Sequence, residues 1–406
     1  MQATPRGIRP HIAIFGRRNV GKSSLINALT DQEIALVSET AGTTADPVYK
    51  NIELLPFGPV VLIDTAGLDD VGELGKLRVE ASLKVMKKTD LALVVLEPAS
   101  ALHPSEKELL EMLKKQKIPF LVIVNKCETG IVEQNLRDEV AAYAPELITV
   151  SARTREGIAR LKSEKMQQGL QGFDSGVILG DLITPRDVVV LVTPIDISAP
   201  KGRLILPQVQ AIRDLLDADA ITIVVKETEL KAALAALQRP PVLVVTDSQV
   251  FFKVAADLPP EIPFTSFSVV FARYKGDLPA YVAGVAALQR LGGSARILIA
   301  ESCTHHQMED DIGRVKIPKW VRQKYGDSVQ FDFCQGVNFP DDLQKYDLVV
   351  QCGGCMTNRR DILARIAACK AAGVAVTNYG VLIGHLHGVL EQALKPFGLS
   401  LSDKAV

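Results

Sequence analysis

Two constellations in this chain have the residue types and spacing to carry chemistry. Gly16-Arg-Arg-Asn-Val-Gly21-Lys22-Ser23, followed by Ser24, fits the spacing G-x-x-x-x-G-K-[ST]. Glycines so placed let backbone N–H groups close on phosphate oxygens, Lys22 reaches the β- and γ-phosphates, and the Ser23 hydroxyl can ligate Mg²⁺. The second constellation is Cys303-Thr-His305, answered by Cys352-Gly-Gly-Cys355. Three thiols and an imidazole are a ligand set for a soft metal or an iron–sulfur cluster. A Cys-x-x-Cys alone also suits a redox pair or half of a zinc site, but the third thiol is surplus to the first, and structural zinc usually presents two close pairs.

Further residues extend the phosphate site in the order that it requires. Asp64 ends the run Val-Val-Leu-Ile-Asp and can hold Mg²⁺ through water, while the Gly67 N–H can sense a γ-phosphate. Thr43 and Thr44 stand on an expected mobile loop, where a hydroxyl completes the metal shell only with triphosphate bound. Lys22, Thr44, Asp64 and Gly67 are therefore the expected catalytic set, with Ser23 and Thr44 as Mg²⁺ ligands. Asn125 and Lys126 follow the buried run FLVIV, Ser151 and Ala152 follow ITV, and with Glu128 they read as a guanine pocket.

These residues meet only if strands deliver them. HIAIF reads as a buried strand ending at Gly16, and SSLINALT as the helix behind it. Three β-branched runs, VVVLVTPID, ITIVVK and PVLVVTD, read as parallel strands separated by helices, a small α/β layer with exposed edges and a modest core that pairing with a second copy would relieve. RILIAESC and YDLVVQC run two more strands into Cys303 and Cys352, the carboxyl ends at which open α/β sheets hold ligands. The helix expected over NRRDILARIAACKAAG aims its positive end at the thiolates. Cys334 and Cys369 read as core thiols, Cys127 as part of the base-binding loop, and His306, His385 and His387 as weaker ligand candidates.

At 406 residues the chain is too long for one core. The expected fold class is α/β in three domains: a P-loop GTPase over 1–170, a linker over 171–186, a dimerisation domain over 187–265 and an iron–sulfur cluster-binding domain over 266–406. Charged residues make up 23% and the net charge is -1, so neither nucleic acid nor an anionic membrane is indicated as a bulk partner. The N-terminus lacks the apolar core of a signal peptide and no run suits a bilayer, so a soluble, cytoplasmic protein is expected. Six cysteines in such a chain favour metal or redox chemistry over disulfides.

GRRNVGKSSLINAL, with AGTT and DTAGL, resembles the TrmE and Era branch of the translation-factor-like GTPases. That resemblance implies an Asp three residues after Asn125, where this chain has Glu128, which still accepts from both guanine N–H donors with a changed reach. Position 68 is Leu, not a water-orienting Gln, so slow hydrolysis is expected. The resemblance also implies K⁺ at Asn19, a residue equally suited to a loop-structuring hydrogen bond.

Across its length, the order of domains and the C-x-H and C-x-x-C residues resemble the HydF family of GTPases required for maturation of [FeFe]-hydrogenase. The family's His before the second cysteine pair is Gln351 here. This resemblance implies a homodimeric scaffold that binds a [4Fe–4S] cluster through Cys303, Cys352 and Cys355 and carries a diiron precursor. Its implied partners are the radical-SAM maturases HydE and HydG and the immature hydrogenase HydA. His305 stands as a candidate fourth ligand or as a neighbour of the cluster. The rival reading, an RNA- or ribosome-assembly GTPase with a structural zinc domain, requires a basic C-terminal surface that the near-neutral composition does not favour.

Overall fold

The apolar runs become three sheets, of six, four and four strands, in a computed structural model that describes residues 6–30, 47–55, 58–67, 82–99, 101–171, 173, 176–195, 204–291, 295–302, 311–336, 338–354 and 357–401. The chain divides into two compact units, Met1–Ser175 and Gly176–Val406.

The first unit holds β1 (His11–Phe15), β2 (Val48–Leu54), β3 (Gly58–Asp64), β4 (Leu91–Leu96), β5 (Phe120–Val124) and β6 (Leu147–Thr149), in the order β2-β3-β1-β4-β5-β6. Only β2 runs antiparallel, along β3. Every residue of β1 and β4 is buried, because helices cover both faces and alternate side chains enter opposite layers. Ile12, Ile14 and Leu62 pack with Leu25 and Leu29 of helix Lys22–Thr30 on one face. Phe15, Val61 and Val94 pack with Leu109, Leu110 and Leu113 of helix Pro104–Lys115 on the other. Each such buried side chain stabilises the fold by ~1.5–3 kcal/mol relative to exposure. The register that results sets Ile14 beside Asp64, so the glycine-rich loop after β1 and the Asp64 carboxylate leave neighbouring strand ends.

The second unit carries two parallel sheets. β7 (Val188–Val192), β8 (Ile221–Val225), β9 (Leu243–Thr246) and β10 (Phe264–Ser266) are ordered β10-β9-β7-β8. Three of these strands were expected. The fourth, β10, is three residues long, Phe-Thr-Ser, and too short to show a period in the sequence. β11 (Arg296–Glu301), β12 (Gln330–Gln335), β13 (Leu348–Gln351) and β14 (Ala375–Asn378) are ordered β12-β11-β13-β14.

One apolar cluster joins Val190, Val244 and Phe264 of the first of these sheets to Ile297, Ile299, Val349 and Val376 of the second, so the two sheets share a core. Helix Leu278–Leu291 reaches β14 closely because residue 284 is Gly; a Cβ there would stand 2.0 Å from the Val376 carbonyl oxygen. Part of the expected linker is packed structure. Ile178, Leu179 and Gly180 all donate their N–H groups to the Asp214 carboxylate, at 3.1, 2.7 and 2.8 Å, which ties that segment to helix Leu206–Asp217. No helix among the described residues is long and apolar enough to cross a membrane.

Candidate functional site

β1 delivers the glycine-rich loop, and Gly21 and Asn19 give it shape. Gly21 has φ +89°, and a Cβ on it would stand 2.3 Å from Asn125 Nδ2. Asn19 also takes positive φ, 60°, a conformation that Asn tolerates better than most residues. Lys22, buried at the start of its helix, donates to the carbonyls of Gly16 and Arg17 at 2.9 and 2.8 Å, which are the contacts a phosphate would displace. Arg17 is fixed in turn by Glu106 at 2.8 Å and Glu97 at 3.3 Å, and Glu97 also meets Lys126 at 3.5 Å. One carboxylate thus bridges the phosphate loop and the base loop.

The residues present fit Mg²⁺. The Ser23 hydroxyl donates to Asp64 Oδ2 at 2.9 Å, and Asp64 Oδ1 is buried without a hydrogen-bond partner among the described residues, an acceptor suited to a cation or its water. Burial pushes the Asp64 carboxyl up, against the pull of the Ser23 hydroxyl and the charges of Lys22 and Lys50. Lys50 lies opposite Leu62, two residues before Asp64, and so on the same sheet face. Sequence reasoning missed it because only the pairing of β2 with β3 reveals the neighbour.

Asn125 is buried and uses both ends of its amide: Nδ2 donates to the Val20 carbonyl at 3.0 Å, and Oδ1 accepts from the Ala152 N–H at 2.9 Å. The Ser151 hydroxyl donates to the exposed Glu128 carboxylate and holds it below the usual carboxylate range. Lys126, with φ 63°, passes over Gly21. Gly16, Asn19, Gly21, Lys22, Ser23, Ser24, Asp64, Gly67, Asn125, Lys126, Glu128, Ser151 and Ala152 all lie in the first unit, while Thr43 and Thr44 lie outside the described residues.

In the second unit β11 and β13 are hydrogen-bonded neighbours, with Ala300 beside Gln351. Cys352 is half-buried at the end of β13, and its sulfur accepts the Ser302 N–H at 3.1 Å. A thiol receiving an amide at a strand end fits an iron–sulfur ligand, since N–H groups aimed at sulfur stabilise such clusters. Ser302 immediately precedes Cys303, which lies outside the described residues, as do His305, His306 and Cys355. No group of three or more His, Cys, Asp or Glu side chains gathers as a metal site among the described residues. Gln351 is buried and accepts from the Tyr281 hydroxyl at 2.8 Å.

Lys275, which sequence reasoning passed over, donates to the Gly354 and Thr357 carbonyls at 2.7 and 3.0 Å. A lysine ending a helix signals only a dipole contact in sequence. The remaining histidines and thiols have structural neighbours. His385 Nε2 meets the Tyr325 hydroxyl at 2.7 Å, and burial lowers its pKa to about 4, so it is neutral near pH 7. His387 packs edge-on to Trp320 and Phe252. Cys369 is fully buried in the core, and burial pushes the Cys334 thiol, on edge strand β12, up to about 11.

Residues 11–126 match the family described as 50S ribosome-binding GTPase, 178–276 the Hydrogen maturase F dimerization domain, and 279–396 the Hydrogen maturase F tetramerization domain. The tRNA modification GTPase MnmE of Chromobacterium violaceum is 35% identical over 175 residues, 42% of this chain and 37% of its own length. GTPase Der of Geobacter metallireducens is 34% identical over 158 residues, 38% of this chain and 36% of its own. The chain thus spans little more than a third of the length of these relatives. Among solved structures, Era of Aquifex aeolicus bound to GDP.AlF4- is 20% identical, covering 53% of this chain and 92% of its own, at a TM-score of 0.36, too low to carry weight.

Proposed function

We infer what this chain does from one premise: it belongs to the hydrogen maturase F (HydF) family, whose dimerization and tetramerization domains follow a GTPase domain along it in order. We propose that it hydrolyses GTP to GDP and phosphate, binds a [4Fe–4S] cluster through Cys303, Cys352 and Cys355, and delivers a diiron precursor to the immature [FeFe]-hydrogenase HydA. HydE and HydG are its partners upstream. The observation that supports the cluster reading is the Ser302 amide on the Cys352 sulfur, because Ser302 is the residue before Cys303 in the sequence.

Lys22, Ser23 and Asp64 would hold Mg²⁺·GTP, with Thr43 and Thr44 as further candidate metal ligands. Bound Mg²⁺ supplies positive charge where the phosphates develop negative charge. Lys22 exchanges its loop carbonyls for phosphate oxygens, and Asn125, Lys126, Glu128, Ser151 and Ala152 orient the base. Asn19 would hold K⁺, which would supply positive charge to an otherwise slow reaction; equal rates in K⁺ and Na⁺ would sink that assignment.

Self-association runs through the dimerization domain. Its outermost strand β8 leaves Ile221 and Val224 49% and 41% exposed, an apolar edge of the kind that pairing covers. The cytoplasm suits the chain because Cys127, Cys334, Cys352 and Cys369 are all free thiols.

Anaerobic reconstitution followed by iron and sulfide analysis with electron paramagnetic resonance tests the cluster. Iron and sulfide in stoichiometric amounts are expected; stoichiometric zinc without iron overturns the scaffold reading.

A further inference from the structure

We propose that the outer edge of β12 is a docking site at which a partner protein adds an acidic strand, read by Lys319 and Arg322 of the neighbouring helix. The surface is separate from the nucleotide site and from the cysteines assigned to the cluster, so the inference depends on neither.

β12 is six residues long, ends its sheet and pairs only with β11 among the described residues. The Gln330 N–H donates to the Ala295 carbonyl at 3.0 Å, and the Gly336 N–H to the Glu301 carbonyl at 2.9 Å. Strand alternation between these two positions turns the N–H groups of Phe331, Phe333 and Gln335 away from β11. An edge of this length with no proline in it is a template for a further strand. Phe333 adds apolar surface there, being 39% exposed.

The chain entering β12 supplies the charge. A π turn, Ile312–Lys316, runs into helix Ile317–Tyr325, which buries Ile317 and Val321 and leaves Val315, Lys319 and Arg322 outside. Those three are spaced four and three apart and share one flank. With Arg314, Pro318 and Asp327 they line a cavity of about 400 Å³. Arg314 is engaged by Glu301 at 3.5 Å and sits over the Phe333 ring, while Arg322 sits over Phe331. A ring against the face of a guanidinium leaves its edge, where the N–H donors lie, to meet a carboxylate. Lys319 and Arg322 form no ion pair among the described residues, whereas Asp332, on the other face of β12, is paired with Arg296 at 2.7 Å.

These features select the occupant. Two cations beside a row of outward N–H groups suit a strand whose side chains alternate between carboxylate and apolar, since backbone bonds give affinity and alternate side chains give specificity. A long polyanion would meet Asp327 in the same cavity. Two-fold pairing of β12 with a second copy would keep both helices on one face and set like charges toward one another.

The test uses the full-length chain and fluorescein-labelled peptides of about eight residues, within ordinary strand length, read by anisotropy. One alternates Glu with Val and Thr, one carries Lys in place of Glu, and one is the acidic peptide with its backbone N-methylated. Saturable binding of the first peptide alone is expected, weakened about tenfold or more in the double variant Lys319→Glu with Arg322→Glu. Both side chains are exposed, so circular dichroism and mass in solution should match wild type. Should the dichroism change, Lys319→Gln with Arg322→Gln replaces the reversal, with a several-fold loss expected. Equal affinity in variant and wild type, equal affinity for the N-methylated peptide, or no saturable binding of the acidic peptide overturns the proposal. A fall in the variant's oligomeric mass also overturns it, because the edge would then belong to a second copy.

Discussion

The nucleotide loop and the cysteine loop are built to one plan and differ in the origin of a single charge. Each follows a buried parallel strand, each contains a glycine at positive φ, and in each a buried lysine donates to loop carbonyls. Lys22 belongs to the loop it holds and reaches back only five or six residues. Lys275 comes from another helix, 79 residues before Gly354. A lysine within its own loop can trade carbonyls for a ligand, whereas Lys275 reaches the Gly354 and Thr357 carbonyls from a different helix.

The sharpest way to break this comparison is to remove the chemistry of one loop and watch the other. Cys352→Ala is expected to abolish the cluster, read as iron and sulfide content, while GTP hydrolysis persists. Loss of both activities would mean that the two units do not function separately. In the reverse direction, Lys22→Met should weaken mant-GTP binding at least a hundredfold, from the loss of charge-assisted hydrogen bonds of ~1.5–3 kcal/mol each, with iron content unchanged.

Acid separates the two units further. The folded pKa of His385, about 4, lies below its unfolded value near 6.5, so the unfolded chain binds the extra proton between those values. Its contribution to stability is therefore present above pH ~6.5 and lost as pH falls toward 4, an upper bound of about 3 kcal/mol. The chain's single tryptophan, Trp320, packs edge-on with His387 in this same unit, so its fluorescence follows the second unit specifically. Denaturation of His385→Gln monitored at Trp320 should show a flatter pH dependence than wild type; parallel curves would remove His385 from the account.

The smallest expected effect refines the first unit. Glu128→Asp should change GTP affinity only a few-fold, because the carboxylate is exposed and water screens its contacts. A change beyond tenfold by calorimetry would show that the extra methylene sets the base geometry.

How much of this was legible in sequence depended on the distance between partners. Gly16 to Ser24 act within a few residues of one another, so spacing alone pointed to their chemistry. Asp64 and Cys352 stood at the ends of apolar runs, and strand ends can be read from pattern. β10 could not be, because three residues between a proline and a helix carry no period. Nor could the hold of Asp214 on residues 178–180, which made part of a glycine-rich stretch into packed structure. Lys50 and Lys275 escaped for the same reason: each takes its meaning from register or packing between distant segments.

The amide of Asn125 has a consequence for how nucleotide selectivity is measured. Its two ends are already committed to Val20 and Ala152, so the residue works as a rivet between loops before it meets any base. Replacing it removes that rivet, and affinity for plain inorganic triphosphate, which has no base to recognise, should fall alongside affinity for GTP. A substitution at this position therefore reports on the alignment of the whole phosphate cradle, and guanine preference is better judged from Glu128.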